Sequence, residues 1–380
     1  MLRQHWRHHP GPGMLQVEST KFIRLDILRF IAATGIVFFH FRGQFGLSHR
    51  LLDSLHSLSV FVDLFFVISG VVIAHVYSHR MTSIRQYGHF MRARIARLVP
   101  LHWVTLALFI IIWLVSSRLG IQANSPGKYD VSCIIPSALM IHSLNTCHML
   151  AFNYVSWSIS AEMVVYTIFP LIVVLGANRP YALMAFALTT ILLMYYFFSG
   201  QGDDAGPWWD WSSHYGAVRA IPAFTFGFAC YAIRDNLAKH LPVGPLCWIL
   251  LGIFFALVLA GVPAGFLLPL MYLIPFFALA ADTRCRPRRV MVKLASLGQL
   301  TYSIYMVHPL VATVFLTVLG DKIFHLSGRP MIVWSIGSML AVFPVAYLSF
   351  RFFEAPSRRL INSGFGKGRS KESKYLEARA

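Results

Sequence analysis

Ten apolar runs dominate the chain, at residues 26 to 42, 58 to 77, 98 to 117, 157 to 175, 181 to 198, 216 to 233, 245 to 261, 263 to 281, 298 to 319 and 331 to 352. Each is close to the ~20 residues of helix that cross a hydrocarbon core of about 30 Å. One water-soluble globule cannot bury them all, because hydrophobic residues make up 57% of the chain, charged residues only 13%, and the mean hydropathy is +0.61. The same figures exclude a disordered chain, a disulfide-stapled secreted domain and a coiled coil. The expected fold is an all-α polytopic transmembrane helix bundle of about ten spans over 26–352, with basic tails at 1–25 and 353–380. An eleventh apolar stretch, near 131 to 144, is short and broken by Pro136, so it reads as a re-entrant or interfacial piece.

The formal charge of +18 has to be read by location. Counting the N-terminal tail as the first connection, odd-numbered connections carry 24 basic residues and even-numbered ones carry 5, together with Asp53, Asp130, Asp203, Asp204, Asp210 and Asp321. Basic residues gather on the cytoplasmic side of membrane proteins, so both termini are expected in the cytoplasm. That asymmetry absorbs the charge, and no nucleic-acid partner is needed. The first 25 residues lack the apolar core of a signal peptide and are expected to be retained. His5, His8 and His9 stand beside Pro10 to Gly13 and read as a solvated tail rather than a metal site, as does the basic stretch from Gly364 to Ala380. The connection from 118 to 156 is the longest, a natural lid over an outward-facing site.

Ionisable groups inside spans are costly against lipid and normally face a bundle interior or a watery cavity. The first span holds Asp26, Arg29 and His40, the second Asp63, the fourth Glu162, the sixth Arg219 and the ninth His308, while the tenth ends at Arg351, before Glu354. Eleven positions of helix put Arg29 and His40 within about 20° of one face and about 16 Å apart along the axis. The alternating direction of successive spans then puts His40, Asp63, Glu162 and Arg219 at one depth near the outer face. A carboxylate beside an imidazole holds a general base in one tautomer, so Asp63 or Glu162 is expected to orient His40. A buried ion-pair network that fixes helix packing is the plainer alternative. His308, a lone core histidine, has the weaker claim. On the inner side the connection from Ser78 to Arg97 carries five arginines and no acid, and the dense Arg92, Arg94 and Arg97 would bind phosphates of a cosubstrate or anionic lipid headgroups.

There is no phosphate-binding Gly-rich loop, paired-Cys metal spacing, nucleophile elbow or Asp-rich metal site in the sequence. Cys133 and Cys147 share the long outer connection, where a bridge would form in an oxidising compartment. Trp208, Trp209 and Trp211 read first as an interfacial aromatic belt and second as a surface for a sugar.

Six segments together resemble the acyltransferase-3 family of integral membrane acyltransferases: RLDILRFIAATGIVFFH from Arg24 to His40, FVDLFFVISG from Phe61 to Gly70, RARIARLVPLHW from Arg92 to Trp103, WSISAE from Trp157 to Glu162, LGQLTYSIYMVHP from Leu297 to Pro309, and FFEAPSRR from Phe352 to Arg359. The resemblance implies ten core spans, an acyl-coenzyme A donor, usually acetyl-coenzyme A, taken from the cytoplasm, and transfer to surface polysaccharides, lipopolysaccharides or related acceptors. The family's Arg, ten residues, then His falls on Arg29 and His40; its Arg-x-x-Arg, linked to the donor, falls on Arg94 and Arg97; its Glu after Trp-Ser falls on Glu162, where the second acid many members carry is replaced by Met163. The expected site therefore has His40, Asp63 and Glu162 as catalytic residues, Arg29, Arg94 and Arg97 on the acyl-coenzyme A, Arg219, His308 and Tyr302 on the acceptor, and no metal. The expected partners are acyl-CoA, a glycan or glycolipid acceptor and membrane lipids, in the inner (plasma) membrane. A transporter or flippase of an anionic or glycosylated lipid is the alternative, since polar tunnels also mark those.

Overall fold

The computed structural model describes residues 22–78, 81, 83–120, 126–147, 149–176, 179–200, 206–240 and 244–363. The two terminal tails with His5, His8 and His9, and the acids Asp203 and Asp204, lie outside the described residues. Within them the chain is helical, with no strand. Fourteen α-helices follow one another: α1 Ile23–Phe41, α2 His49–His56, α3 Phe61–Tyr77, α4 Ile84–Arg118, α5 Ile134–Ala138, α6 Trp157–Gly176, α7 Pro180–Phe198, α8 Gly216–His240, α9 Leu246–Leu259, α10 Ala264–Arg284, α11 Arg289–Ala295, α12 Thr301–Val311, α13 Gly328–Ser349 and α14 Ala355–Ser363. Wide π-type turns over Ala312–Ile323 and Phe350–Glu354 continue α12 and join α13 to α14.

Among the described residues, eight helical segments are long and apolar enough to cross a membrane. The two other expected spans are also helices: α1, which carries Arg24, Asp26 and Arg29 near its start, and α9, which has 14 residues. Fourteen residues rise only about 21 Å. The run is cut short after Ala260 by Gly261, whose φ of +82° is open to a residue without Cβ and turns the chain toward α10. Residues 131 to 144 form only a short turn, the five-residue α5 and another turn, too short to cross. That segment lies in the cap over the end of the bundle away from the arginine-rich connections, and Cys133 is bridged there to Cys147 with Cα atoms 5.2 Å apart.

Two contacts show how the helices are set. Where α3 crosses α8, a Cβ at Gly70 would lie 2.1 Å from the carbonyl oxygen of Phe224, and one at Gly227 would lie 2.0 Å from that of Val67. Small residues of this kind let helix backbones meet inside a membrane, where burial of apolar surface drives little association. At the arginine-rich end the carboxylate of Asp282 accepts hydrogen bonds from the backbone N–H groups of Arg24 (2.8 Å) and Leu25 (3.3 Å) and pairs with the Arg24 guanidinium at 2.9 Å. The first orphan donors of α1 are thus capped by a side chain from α10 rather than by a preceding residue.

Two expectations are corrected. Arg92, Arg94 and Arg97 do not sit on a connection: α4 begins at Ile84, with the Ser83 hydroxyl accepting from the Gln86 N–H, and runs unbroken through all three. Arginine is a good helix former, and the charged stretch simply extends the spanning helix by over three turns. Within the expected C-terminal tail, residues 355–363 form α14, which packs on α4. Trp208 and Trp211 are buried rather than forming a lipid-facing belt; Trp208 meets Tyr195 and Trp209, and Trp211 meets Phe198 and Tyr215.

Candidate active site

Helices α1, α3, α4, α6 and α12 converge on a pocket whose lining mixes apolar side chains with a few polar and charged ones. Its walls carry three guanidinium groups, from Arg29, Arg94 and Arg97, and one carboxylate, from Glu162. Helical spacing explains the grouping: Arg94 and Arg97 are three apart on α4 and share a face. Arg29 is held by Asp26 one turn earlier at 3.9 Å, and Arg94 lies over the rings of Tyr77 and Tyr166 at 5.5 and 6.0 Å. Glu162 accepts a hydrogen bond from the hydroxyl of Ser69 at 2.5 Å and another from Tyr166, one turn on in α6. The carboxylate is anchored by neutral hydroxyls and faces three cations, so the pocket keeps a net positive field suited to an anion. Tyr302 lines the same pocket and donates to the carbonyl oxygen of Leu98.

His40 lies toward the capped end. Its ring is stacked on that of His308, with centroids 5.2 Å apart and planes at 29°, and is flanked by Tyr154 of the cap at 4.8 Å and Phe39 at 4.7 Å. Tyr305 joins this group to the pocket: its ring lies 5.9 Å from that of His308, and its hydroxyl shares a 2.8 Å hydrogen bond with the pocket residue Ser158. The cap is pinned over this end by Asn153, whose amide donates to the Met306 carbonyl oxygen at 3.1 Å and to Thr105 at 3.0 Å. In the cap, burial pushes the imidazole of His142 down to about 4, with His102 beside it adding to the shift.

The expected partnership of Asp63 or Glu162 with His40 is not formed. Asp63 is taken by Arg219, which donates from Nε to Oδ1 at 3.1 Å and from Nη2 to Oδ2 at 2.5 Å. The remaining guanidinium nitrogen donates to the Trp211 carbonyl oxygen at 3.2 Å, and the group lies 5.5 Å over the Trp157 ring. Nine predicted residues therefore separate into three places: Arg29, Arg94, Arg97, Glu162 and Tyr302 in the pocket, His40 with His308, and Asp63 with Arg219. The structure separates the expected outer-face group: Asp63 meets Arg219 of α8, whereas Glu162 lies in the arginine pocket against Ser69 and Tyr166, apart from His40. Sequence reasoning missed Ser69, Tyr166, Ser158, Tyr305 and Tyr154. Tyr166 was within reach, since it follows Glu162 by four residues on one helix face; Tyr154 was not, because it arrives from a loop. Among the described residues no group of three or more His, Cys, Asp and Glu side chains is placed to hold a metal ion.

Comparison with known proteins bears on the same helices. The sequence profile described as an acyltransferase domain matches residues 22–351. Over 109 residues the chain is 37% identical to "Protein 2 in picA locus" of Rhizobium radiobacter, covering 28% of this chain and 54% of that protein. Over 151 residues it is 30% identical to "Acyltransferase MdmB" of Streptomyces mycarofaciens, covering 38% of this chain and 37% of that one. The chain thus spans about half the length of the first relative and about a third of the second. No solved structure matches. With the profile running from the start of α1 to the end of the last spanning helix, the chain belongs to the acyltransferase-3 family of membrane acyltransferases.

Proposed function

We propose that this protein is an O-acyltransferase of the inner (plasma) membrane, moving an acyl group, most simply acetyl, from cytoplasmic acyl-coenzyme A to a hydroxyl of an extracytoplasmic glycan or glycolipid. The observation that carries this reading is the polar path from the arginine pocket through Glu162, Ser158 and Tyr305 to the His308 and His40 rings. A membrane bundle has no structural need for three arginines in one cavity at one end and a histidine pair under a cap at the other. In this reading the phosphates of the donor sit on Arg29, Arg94 and Arg97, and the pantetheine arm runs along the apolar and hydroxyl-bearing wall of the pocket. The thioester carbonyl then lies near His40, which acts as general base or acyl carrier. The acceptor enters from beneath the cap, near Arg219 and Tyr154. Its oxygen bonds to the acyl carbon, the carbon–sulfur bond breaks, and the coenzyme A thiolate leaves with the proton.

The test uses inverted membrane vesicles containing the full chain, supplied with radiolabelled acetyl-coenzyme A, with label counted in the glycan and glycolipid fraction. His40→Ala should lower incorporation by roughly 10²- to 10⁴-fold, with unchanged abundance in the membrane. Near-normal incorporation would remove His40 from the chemistry. Loss of the protein itself would make His40 a packing residue.

A further inference from the structure

Buried polar atoms without partners are rare in folded proteins, and each asks for an explanation. His308 holds one in the most telling place. Its side chain is fully buried, its Nδ1 lies 3.2 Å from the carbonyl oxygen of Ile304, and no hydrogen-bond partner among the described residues reaches its Nε2. A carbonyl oxygen only accepts, so Nδ1 carries the proton and Nε2 presents a lone pair. The backbone of α12 therefore fixes the tautomer of this ring one helical turn away, in the way a carboxylate fixes it in a catalytic triad. The His40 ring stacked against it has no such restraint, since among the described residues no hydrogen bond orients it.

We propose that His308 is a second catalytic imidazole, whose Nε2 takes the proton from the acceptor hydroxyl while His40 is left to contact the acyl group. This rests on the acyltransferase reading and divides its chemistry between two rings. The acceptor O–H bond breaks with its proton passing to Nε2 as the oxygen–carbon bond forms. The carbon–sulfur bond then breaks, and the departing thiolate recovers that proton from His308, leaving the ring in its starting tautomer. No oxidant or further reactant is needed. The surroundings suit a proton acceptor, because Tyr305 lies against His308 and Tyr154 against His40, and full burial of His308 keeps bulk water from its lone pair. Among the described residues the buried His102 and His142 also leave a ring nitrogen unpaired, and what sets His308 apart is its place, stacked on His40 and in contact with Tyr305 of the pocket.

Two variants in the same vesicle assay test this. His308→Gln keeps size and polarity without a proton-accepting nitrogen, and should lower kcat by roughly 10²- to 10⁴-fold. Apparent KM for acetyl-coenzyme A should stay within about threefold of the unmodified protein, because donor binding does not use this ring. His308→Gly opens a ring-sized space, and added imidazole should restore incorporation where pyrrole, equal in shape but without a basic lone pair, should not. A His308→Gln rate within about threefold of the unmodified protein overturns the proposal. Equal restoration by imidazole and pyrrole overturns it as well, since filling space would then suffice. If His308→Gln is active while His40→Ala is dead, the acyltransferase reading stands without a second base; if the unmodified protein transfers no label at all, that reading itself falls.

Discussion

Arg219 grips both carboxylate oxygens of Asp63 while the two side chains are 2% and 0% exposed, so α3 and α8 are joined by a buried ion pair about two turns from their glycine crossing. Breaking one partner of such a pair leaves an uncompensated buried charge, at a cost of about 3 to 5 kcal/mol, whereas replacing both by apolar groups is often nearly neutral. Asp63→Ala and Arg219→Ala should each lower the melting temperature in detergent and the amount recovered from membranes. The double variant Asp63→Leu with Arg219→Met should recover part of the loss. If both single variants melt with the unmodified protein, the pair has no structural weight.

The α3–α8 crossing should be intolerant of a single methyl group. At Gly70 and Gly227 the added Cβ would sit about 2 Å from a carbonyl oxygen of the facing backbone, which can yield only by moving a helix. Gly70→Ala and Gly227→Ala should therefore lower recovery of folded protein sharply, by an overpacking cost of about 1 to 3 kcal/mol or more. Gly337→Ala, where no atom lies within 4 Å of the new Cβ, is the control. Size-exclusion profiles of the three variants decide the matter, and three equal profiles would refute the close contact.

The pocket arginines should govern use of the donor. Hydrogen bonds to charged groups contribute about 1.5 to 3 kcal/mol each, so Arg94→Ala and Arg97→Ala should raise apparent KM for acetyl-coenzyme A by roughly 10- to 100-fold. Arg85 is exposed on the first turn of the same helix and lies outside the pocket, so Arg85→Ala should be mild. Equal effects of all three would mean that the arginines act only through the charge of that end of the bundle.

Acid should loosen the cap through His142. With its imidazole lowered to about 4 in the folded chain and near 6.5 when unfolded, the unfolded state binds the extra proton first. The contribution of neutral His142 is therefore complete above pH 6.5 and is lost as pH falls toward 4. Melting curves across that window should fall less steeply for His142→Gln than for the unmodified protein. Parallel curves would show that burial does not hold this ring neutral.

The side on which each end of the bundle lies can be labelled directly. With 24 basic residues in one set of connections against 5 in the other, the arginine-rich end should face the cytoplasm. Arg85→Cys should react with an impermeant maleimide only in broken cells, and Ser327→Cys, exposed in the turn before α13, in intact cells once any outer barrier is removed. Reaction of Ser327→Cys only in broken cells would invert the bundle and put the His40 end on the donor's side.

Much of this protein was legible in one dimension because membrane helices obey local rules. Length and hydropathy of each run depend on its own residues, and so the ten helices fall where the apolar runs lie. The grouping of Arg94 with Arg97 follows from helical spacing alone. One boundary was misplaced for a local reason: arginine is a good helix former, so the arginine stretch became part of α4. The partners of Asp63 and Glu162 were beyond reach for a different reason. Depth in a membrane can be counted along each helix, but rotation about its axis is set by which faces pack, and glycines at 70 and 227 draw α3 onto α8 so that Asp63 meets Arg219. The same is true of the cap, which folds back from a loop to lay Tyr154 on His40, and of the turn of α12 that brings His308 beside it. Ring against ring and charge against charge are contacts between distant parts of the chain, and they come into being only when the helices are packed.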